Sequence, residues 1–294
     1  AGNALVIRFL MGLLSLLPLG MLRSLGAWTG RMVYRLDKKY AHSIQTNARI
    51  AGYDSPEFWL ENAGHVGQGA AELAYLWSNK VSKIVPHVKV TGWDAVEQLH
   101  AQGRGVLMLT PHMGAFELLS LWIGARAPFV AMYRQPRVAA VESIMLAGRE
   151  RFDVQMATAD IKGIRVMLRH LKNNGLVGLL PDQVPNKQGE AVVADVFGQP
   201  AMTMTLPAKL LRQTGAGLVI MFAKRVDAPH QFELYFEVVD APMSGEPALD
   251  ALTINKHMEK LIRMAPEQYL WNYNRYKRLP ASVENQATEV AHGE

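Results

Sequence analysis

The chain has 294 residues, 49% apolar and 19% charged, with a mean hydropathy of +0.01; this supports one large core and excludes a disordered chain. The absence of cysteine excludes disulfides, thiolate metal sites, iron–sulfur clusters and a cysteine nucleophile. The excess of 31 Lys and Arg over 26 Asp and Glu, net +5, suits phosphates, acidic proteins or anionic lipid, and no nucleic-acid motif accompanies it.

Phe9 to Leu22 reads FLMGLLSLLPLGML, 14 residues without a charge. Arg8 precedes the run, and Arg23, Arg31, Arg35, Lys38 and Lys39 follow it. A spanning helix needs about 20 apolar residues, and Pro18 interrupts this one. Basic residues on the far side, with no small-residue cleavage site, argue against a signal peptide. The pattern predicts a helix in the membrane interface, or a marginal anchor, with its cations near anionic headgroups. Packing against the protein's own core is the alternative.

Residues 36–80 read as helical, with a start signal at Asp54-Ser55-Pro56-Glu57. The period then changes. Strand-like runs are predicted at 88–90, 105–110, 129–133, 154–157, 176–180, 192–197, 218–223 and 232–239. Helical patterns lie between many of them, at 95–101, 115–126, 138–151, 163–173 and 202–213, with a last helix over 252–264. This alternation predicts an α/β fold: a central mixed, largely parallel sheet flanked by helices, with an N-terminal helical membrane-associating extension. The last two strands, either side of Asp227-Ala228-Pro229-His230, are expected to form an antiparallel hairpin. The expected organisation is a helical membrane-associated region over 1–80, an α/β domain continuous with it over 81–280, and a polar tail over 281–294.

The chemistry-bearing stretch is GVLMLTPHMGAFELLSLW, residues 105–122. A buried-type strand ends at Thr110-Pro111, His112 follows on the turn, and a helix carries Glu117. Such turns lie at the carboxyl end of a sheet, where α/β proteins place their sites. A turn folding back lets Glu117 hold one imidazole nitrogen, leaving the other to take a proton from a hydroxyl. Gly114 is expected to admit a substrate close to the backbone. The plainer reading of His-x4-Glu alone is a capping histidine and a solvated glutamate.

His112-Met-Gly-Ala-Phe-Glu117 after an apolar strand resembles the His-x4-Asp/Glu motif of glycerolipid-type acyltransferases. In its glutamate form it resembles the late acyltransferases of lipid A biosynthesis. Further segments match that family in order: Met132-Tyr133-Arg134, Pro181-Asp182-Gln183, Phe197-Gly198-Gln199-Pro200-Ala201 with Thr203 and Thr205, and Pro266 to Lys277. The resemblance spans nearly the whole chain to about Pro280. It departs from the family at Met113, at Ala115-Phe116 and in the stretch after Gln183.

The resemblance implies transfer of an acyl chain from an acyl-carrier-protein thioester, or coenzyme A, to a hydroxyl of a lipid A precursor. It implies work at the cytoplasmic face of the inner membrane, with no metal or cofactor. By motif, His112 is the general base and Glu117 its orienting carboxylate. Attack on the thioester is expected to be direct; the sequence contains neither a cysteine nor a Gly-x-Ser-x-Gly elbow. A different glycolipid or aminolipid is the runner-up acceptor, and a membrane lipid-binding protein without turnover is the rival from another class.

Arg134 and Arg137, then Arg149, Arg151, Lys162, Arg165 and Arg169, form a basic run suited to phosphates, acidic sugars or an acidic carrier surface. Arg134, Arg137 and Arg165 are the residues expected to bind substrate; an ordinary solvated face is the alternative. Asp182, at a second strand end, is expected to orient an active-site group such as an arginine, or to stabilise its loop. Thr203 and Thr205 are expected to cap the next helix. The stripe Met202, Leu206, Leu210 and Leu211 reads as core more than acyl slot.

Overall fold

The computed structural model describes residues 2–78, 80–136, 139–185, 190–227 and 230–280. The proposed tail over 281–294 and Arg137 lie outside them. Four helices open the chain: α1 (Gly2–Ser15), α2 (Leu19–Leu36), α3 (Lys38–Ile50) and α4 (Pro56–Leu76). Pro18 divides α1 from α2 in extended backbone. Asp37 caps α3 by accepting from the amides of Lys39 and Tyr40. Ser55 caps α4 by accepting from the Phe58 amide, with Pro56 in the first turn, as its start signal predicts. Among the described residues no helix is long and apolar enough to cross a membrane.

Helix α2 lies backbone-close on α4. A Cβ on Gly30 would sit 2.1 Å from the Ala63 carbonyl oxygen, and one on Gly67 2.0 Å from that of Gly26. Small residues four apart on both helices permit this approach, which the hydrophobic pattern did not announce. It delivers Arg23 to the buried Glu72: Nε donates to Oε1 at 2.6 Å. Arg225 reaches the same carboxylate from the sheet, donating to both oxygens at 2.8 Å. Arg23 spends its remaining donors on the Val226 and Gln231 carbonyls at 2.7 Å each. The buried charges are therefore paired and hydrogen-bonded, as their desolvation demands.

A short helix α5 (Val81–Ile84) leads into the α/β part. There β1 (Lys89–Thr91), α6 (Trp93–His100), β2 (Val106–Leu109), α7 (Phe116–Gly124), β3 (Phe129–Tyr133), α8 (Ala139–Arg149), β4 (Val154–Thr158), α9 (Ile161–Lys172) and β5 (Leu176–Leu179) follow. Then come β6 (Ala191–Val196), β7 (Gln199–Met204), α10 (Leu206–Thr214), β8 (Gly217–Arg225), β9 (Phe232–Val239) and α11 (Pro247–Met264). Seven strands form one sheet in the order β1-β9-β8-β2-β5-β3-β4. All neighbours pair in parallel except β8 and β9, the expected antiparallel hairpin. The mixed, largely parallel sheet flanked by helices is thus as anticipated.

Side chains alternate between the two faces. Val106, Met108, Phe129, Leu176 and Met221 pack with Leu118, Leu119 and Trp122 of α7. Leu107, Leu109, Val130, Val177 and Ile220 pack on the other face with Met167 of α9, Leu210 of α10 and Met258 of α11. A central strand covered on both faces reads as a continuous apolar run, and all four residues of β2 are fully buried. One predicted element is corrected. The helical pattern over 202–213 is a strand to Met204 and a helix only from Leu206. Ala201 and Thr203 are buried between half-buried neighbours, a period of two, and β7 pairs with β6 across a turn at Phe197-Gly198 where both φ angles are positive.

Two outcomes follow from the buried charges. Arg225→Met leaves Glu72 short of a partner and should lower unfolding free energy in urea by about 3–5 kcal/mol. Asp54→Asn, which breaks the exposed Arg49–Asp54 pair, should cost less than about 1 kcal/mol. His65, near Arg225, is held neutral: burial first, then the Arg225 charge, lower its pKa from 6.5 to about 4. A depressed histidine contributes stability that is complete above 6.5 and lost as pH falls toward 4. The thermal midpoint should drop over that window, and less steeply in His65→Leu; equal slopes would refute this assignment.

Candidate active site

The site begins with strand register. Leu109 of β2 pairs with Leu179 of β5. Beyond that pair one chain continues Thr110-Pro111-His112 and the other Leu180-Pro181-Asp182. Equal steps from a paired position bring His112 and Asp182 side by side at the carboxyl end of the sheet. The His112 Nδ1 lies 2.7 Å from Asp182 Oδ1, and the His112 amide donates to Oδ2 at 2.9 Å. Burial alone would raise the Asp182 pKa. The His112 charge, its ring and amide donors, and the Arg275 charge outweigh burial and hold the carboxyl below its ordinary value. An ionised carboxylate only accepts, so Nδ1 carries the hydrogen, and in the neutral ring the Nε2 lone pair is left for a substrate proton. Tyr269 is buried beside Asp182; burial and that charge push its phenol well above the usual range, so it stays neutral.

The turn carrying His112 is pinned by the protein itself. Gly114 adopts φ +56°, and a Cβ there would sit 2.0 Å from the Ala223 carbonyl oxygen. Its amide donates to the Gln268 carbonyl at 2.9 Å, and its carbonyl accepts from Arg225 at 3.2 Å. The Leu270 amide donates to the His112 carbonyl at 3.1 Å. Residues 266–276 thus act as a strap behind the turn. Asn62 of α4 donates to the carbonyls of Glu267 and Tyr269, and Asn47 of α3 to those of Trp271 and Tyr273. Gly114 is not among the residues lining the adjacent cavity; its missing side chain lets the turn pack against the Ala223 carbonyl.

Glu117 does not meet His112 in the expected way. Its carboxylate is clamped by Arg149 of α8, with Nε donating to Oε2 at 2.8 Å and Nη2 donating to Oε1. Trp77 Nε1 donates to the same carboxylate at 3.3 Å. The partner of the imidazole is Asp182, which thus orients a histidine, and Glu117 pairs with Arg149. Topology explains the exchange: β5 lies between β2 and β3, so a residue 70 positions away is nearer than one five away. The repeated strand-end pattern, proline followed by His112 or Asp182, was the available signal.

A cavity of about 1220 Å³ opens beside the couple. His112, Phe116, Glu117, Arg134 and Arg149 line it together with Leu119, Phe129, Ala131, Met145, Met221, Leu206 and Leu210. Arg134 is exposed at its edge, as a substrate-binding residue requires. Arg165 is exposed on α9 and is not among the lining residues, whereas Lys162, one turn earlier, is. Thr205 occupies the cap position of α10 without a side-chain cap bond. Thr203 lies inside β7 and accepts from Asn255 and Arg275. Leu206 and Leu210 belong to cavity and core alike.

An imidazole fixed by a buried carboxylate, beside an open cavity with largely apolar walls, is an arrangement that can activate a hydroxyl beside hydrocarbon. The class is that of the acyltransferases. The chain belongs to the bacterial lipid A biosynthesis acyltransferase family, whose pattern matches residues 2–278. It is 28% identical over 276 residues to the lipid A biosynthesis lauroyltransferase of Escherichia coli K12, covering 91% of this chain and 89% of that one. It is 26% identical over 273 residues to the lipid A biosynthesis palmitoleoyltransferase of the same organism, covering 90% and 87%. A solved 1-acyl-sn-glycerophosphate acyltransferase of Thermotoga maritima aligns with a TM-score of 0.36 at 12% identity, over 83% of this chain and 94% of that one.

The pairing can be read from double-mutant cycles on turnover. Asp182→Asn combined with His112→Gln should cost little more than the worse single change, because both act through one base. Glu117→Gln with Arg149→Met should couple likewise. Asp182→Asn with Arg149→Met should be nearer additive; strong coupling between Glu117 and His112 instead would restore the sequence-based pairing.

Proposed function

We propose that the protein transfers a fatty acyl chain from an acyl-carrier-protein thioester to a hydroxyl of a lipid A precursor at the cytoplasmic face of the inner membrane. The observation that carries this reading is the His112–Asp182 couple facing an apolar cavity, in a chain of this family. His112 Nε2 takes the hydroxyl proton as the oxygen attacks the thioester carbonyl. The new C–O bond forms, the C–S bond breaks, and the proton passes from the imidazole to the departing sulfur. Asp182 holds the imidazole in the required tautomer and offsets its charge. The first amides of α7, at Phe116 and Glu117, have no intrahelical acceptor, and both residues line the cavity. They supply hydrogen bonds to the oxyanion that develops at the carbonyl. Glu117 contributes by holding Arg149 at the cavity wall.

Membrane contact rests on the first two helices. Phe9, Leu10, Leu13 and Leu16 of α1 and its exit, and Met21, Leu25, Trp28 and Leu36 of α2, are all exposed large apolar residues. An apolar face of that extent beside Arg31 and Arg35 suits an anionic lipid surface. The double change Leu25→Ser and Trp28→Ser should reduce co-sedimentation with anionic vesicles while leaving the melting temperature within a few degrees. Undiminished partition would refute the lipid-facing assignment.

Mass spectrometry of a Kdo-bearing lipid A precursor incubated with mixed acyl-carrier-protein thioesters tests the reaction. The expected product gains one acyl mass and is absent with His112→Ala; Asp182→Asn should lower turnover about 10²–10⁴-fold. No gain with folded wild-type protein and intact thioester would refute this acceptor. Equal rates with coenzyme A thioesters would refute the carrier-protein preference.

A further inference from the structure

We propose that the outward face of α9 is the surface on which an acidic acyl carrier protein docks to deliver its thioester to the His112 cavity. The proposal rests on the acyl-transfer reading above and gives its donor a place on the molecule. Lys162, Arg165, Arg169 and Lys172 are all exposed. Their spacing of three, four and three residues sets them in one stripe along the helix. Gly163, Met167 and Leu171 form the buried side. The start of the helix is pressed onto β4: a Cβ on Gly163 would lie 1.8 Å from the Thr158 carbonyl oxygen. The stripe is therefore carried on a fixed element.

An ordinary solvated face does not account for this stripe. Residues 161–172 include no acidic side chain, so cations three and four apart repel with nothing on the helix to offset them. The carboxyl end of a helix favours Arg169 and Lys172. Lys162 and Arg165 stand in its first half, toward the end that favours anions. Among the described residues none of the four forms an ion pair. Asp160, the carboxylate beside Lys162, is already engaged by the Thr158 hydroxyl at 2.8 Å and the Gly163 amide at 2.9 Å. The charge of the stripe is thus left for a partner.

One end of the stripe opens on the site. Ile161 and Lys162, in the first turn of α9, line the same cavity as His112. Ile161 is 69% exposed, an apolar contact at the head of a charged track. From Lys162 to Lys172 the helix rises about 15 Å, so a carrier seated along it stands beside the cavity mouth. Position separates this surface from the lipid-facing one. Leu19, at the start of α2, packs in the cluster on the α7 face of the sheet, and α1 packs on α8. Met167 and Leu171 of α9 belong to the cluster on the other face. A bilayer resting on Phe9, Leu10 and Leu13 therefore lies across the sheet from the stripe. That leaves the stripe to a partner in solution, and charge complementarity requires the partner to be acidic. Donor and lipid acceptor then arrive from different sides without competing for one surface.

The experiment titrates the full-length protein with acyl carrier protein by calorimetry, beside turnover of a carrier-linked acyl thioester with the Kdo-bearing precursor. Arg165→Glu combined with Arg169→Glu should weaken carrier binding and raise the KM for the carrier thioester about tenfold, because exposed ion pairs are lost and repulsion replaces them. The kcat at saturation should be nearly unchanged, since neither residue lines the cavity. Added salt should weaken wild-type binding toward that of the variant. Lys83→Glu combined with Lys89→Glu, exposed changes at the β1 edge of the sheet, makes the same change in net charge and should leave carrier binding as in the wild type. Co-sedimentation with anionic vesicles should be the same for the two double variants. Melting curves accompany each, and Arg165→Gln with Arg169→Gln replaces the reversal if it fails to fold. Unchanged carrier binding in the α9 variant overturns the proposal, as does an equal loss in the β1-edge variant. Vesicle binding lost in the α9 variant with carrier binding retained assigns the stripe to lipid and overturns it too. Absence of any acylated precursor with the wild-type protein would sink the parent reading, and titration with carrier protein alone would still decide the docking surface.

Discussion

The register between β2 and β5 is the constraint on which the site depends. With Leu109 opposite Leu179, His112 and Asp182 leave their strands at equal steps, and one carboxylate takes both the ring and the amide of the histidine. A slip of one residue would turn each side chain of β5 to the other face and carry Asp182 away from the imidazole. Burial of both strands on both faces opposes such a slip. The core thus fixes the His112–Asp182 geometry as well as the fold, through the same apolar side chains.

Register alone leaves the His112 turn free to move, because it lies past the last strand hydrogen bonds. The structure closes it from behind. Residues 266–276 supply backbone partners for His112 and Gly114, and Asn47 and Asn62 hold those residues in turn. Arg225 adds a donor to the Gly114 carbonyl while engaged with Glu72 and, through it, Arg23. Apart from Arg225 of β8, these supports come from the first helices and from residues 266–276. The helical region over 1–80 is therefore part of the frame that holds the His112 turn. Its inner face holds the turn, and its outer face carries the exposed apolar residues read as lipid-facing.

Much of this was legible in order along the chain. Continuous apolar runs marked β2, β5 and β8, and a capping residue with a following proline marked α4, because those signals are local. The hairpin of β6 and β7 was partly missed: a methionine-rich strand next to a helix blurs the period, and Phe197 takes a positive φ that its side chain does not advertise. The sequence singled out His112, which follows a strand on a turn, and the structure places it beside the cavity. Its partner was misassigned because nearness in sequence favoured Glu117, whereas strand order, a non-local property, favours Asp182. The Arg23–Glu72–Arg225 cluster joins three distant segments and leaves no pattern in any of them.

The two carboxylates of the site settle into different tasks for a physical reason. Asp182 is short and buried, within reach of an imidazole across one strand spacing, and the donors around it keep it ionised despite burial. Glu117 sits in the first turn of α7, where the helix end favours an anion, and its longer arm reaches the guanidinium of Arg149. A fork-shaped pair of that kind fixes both side chains. It places a cation at the cavity wall without leaving it unpaired, which an uncompensated arginine beside hydrocarbon could not do at acceptable cost. The glutamate of the His-x4-Glu motif therefore holds an arginine, and the histidine is held by a residue outside the motif.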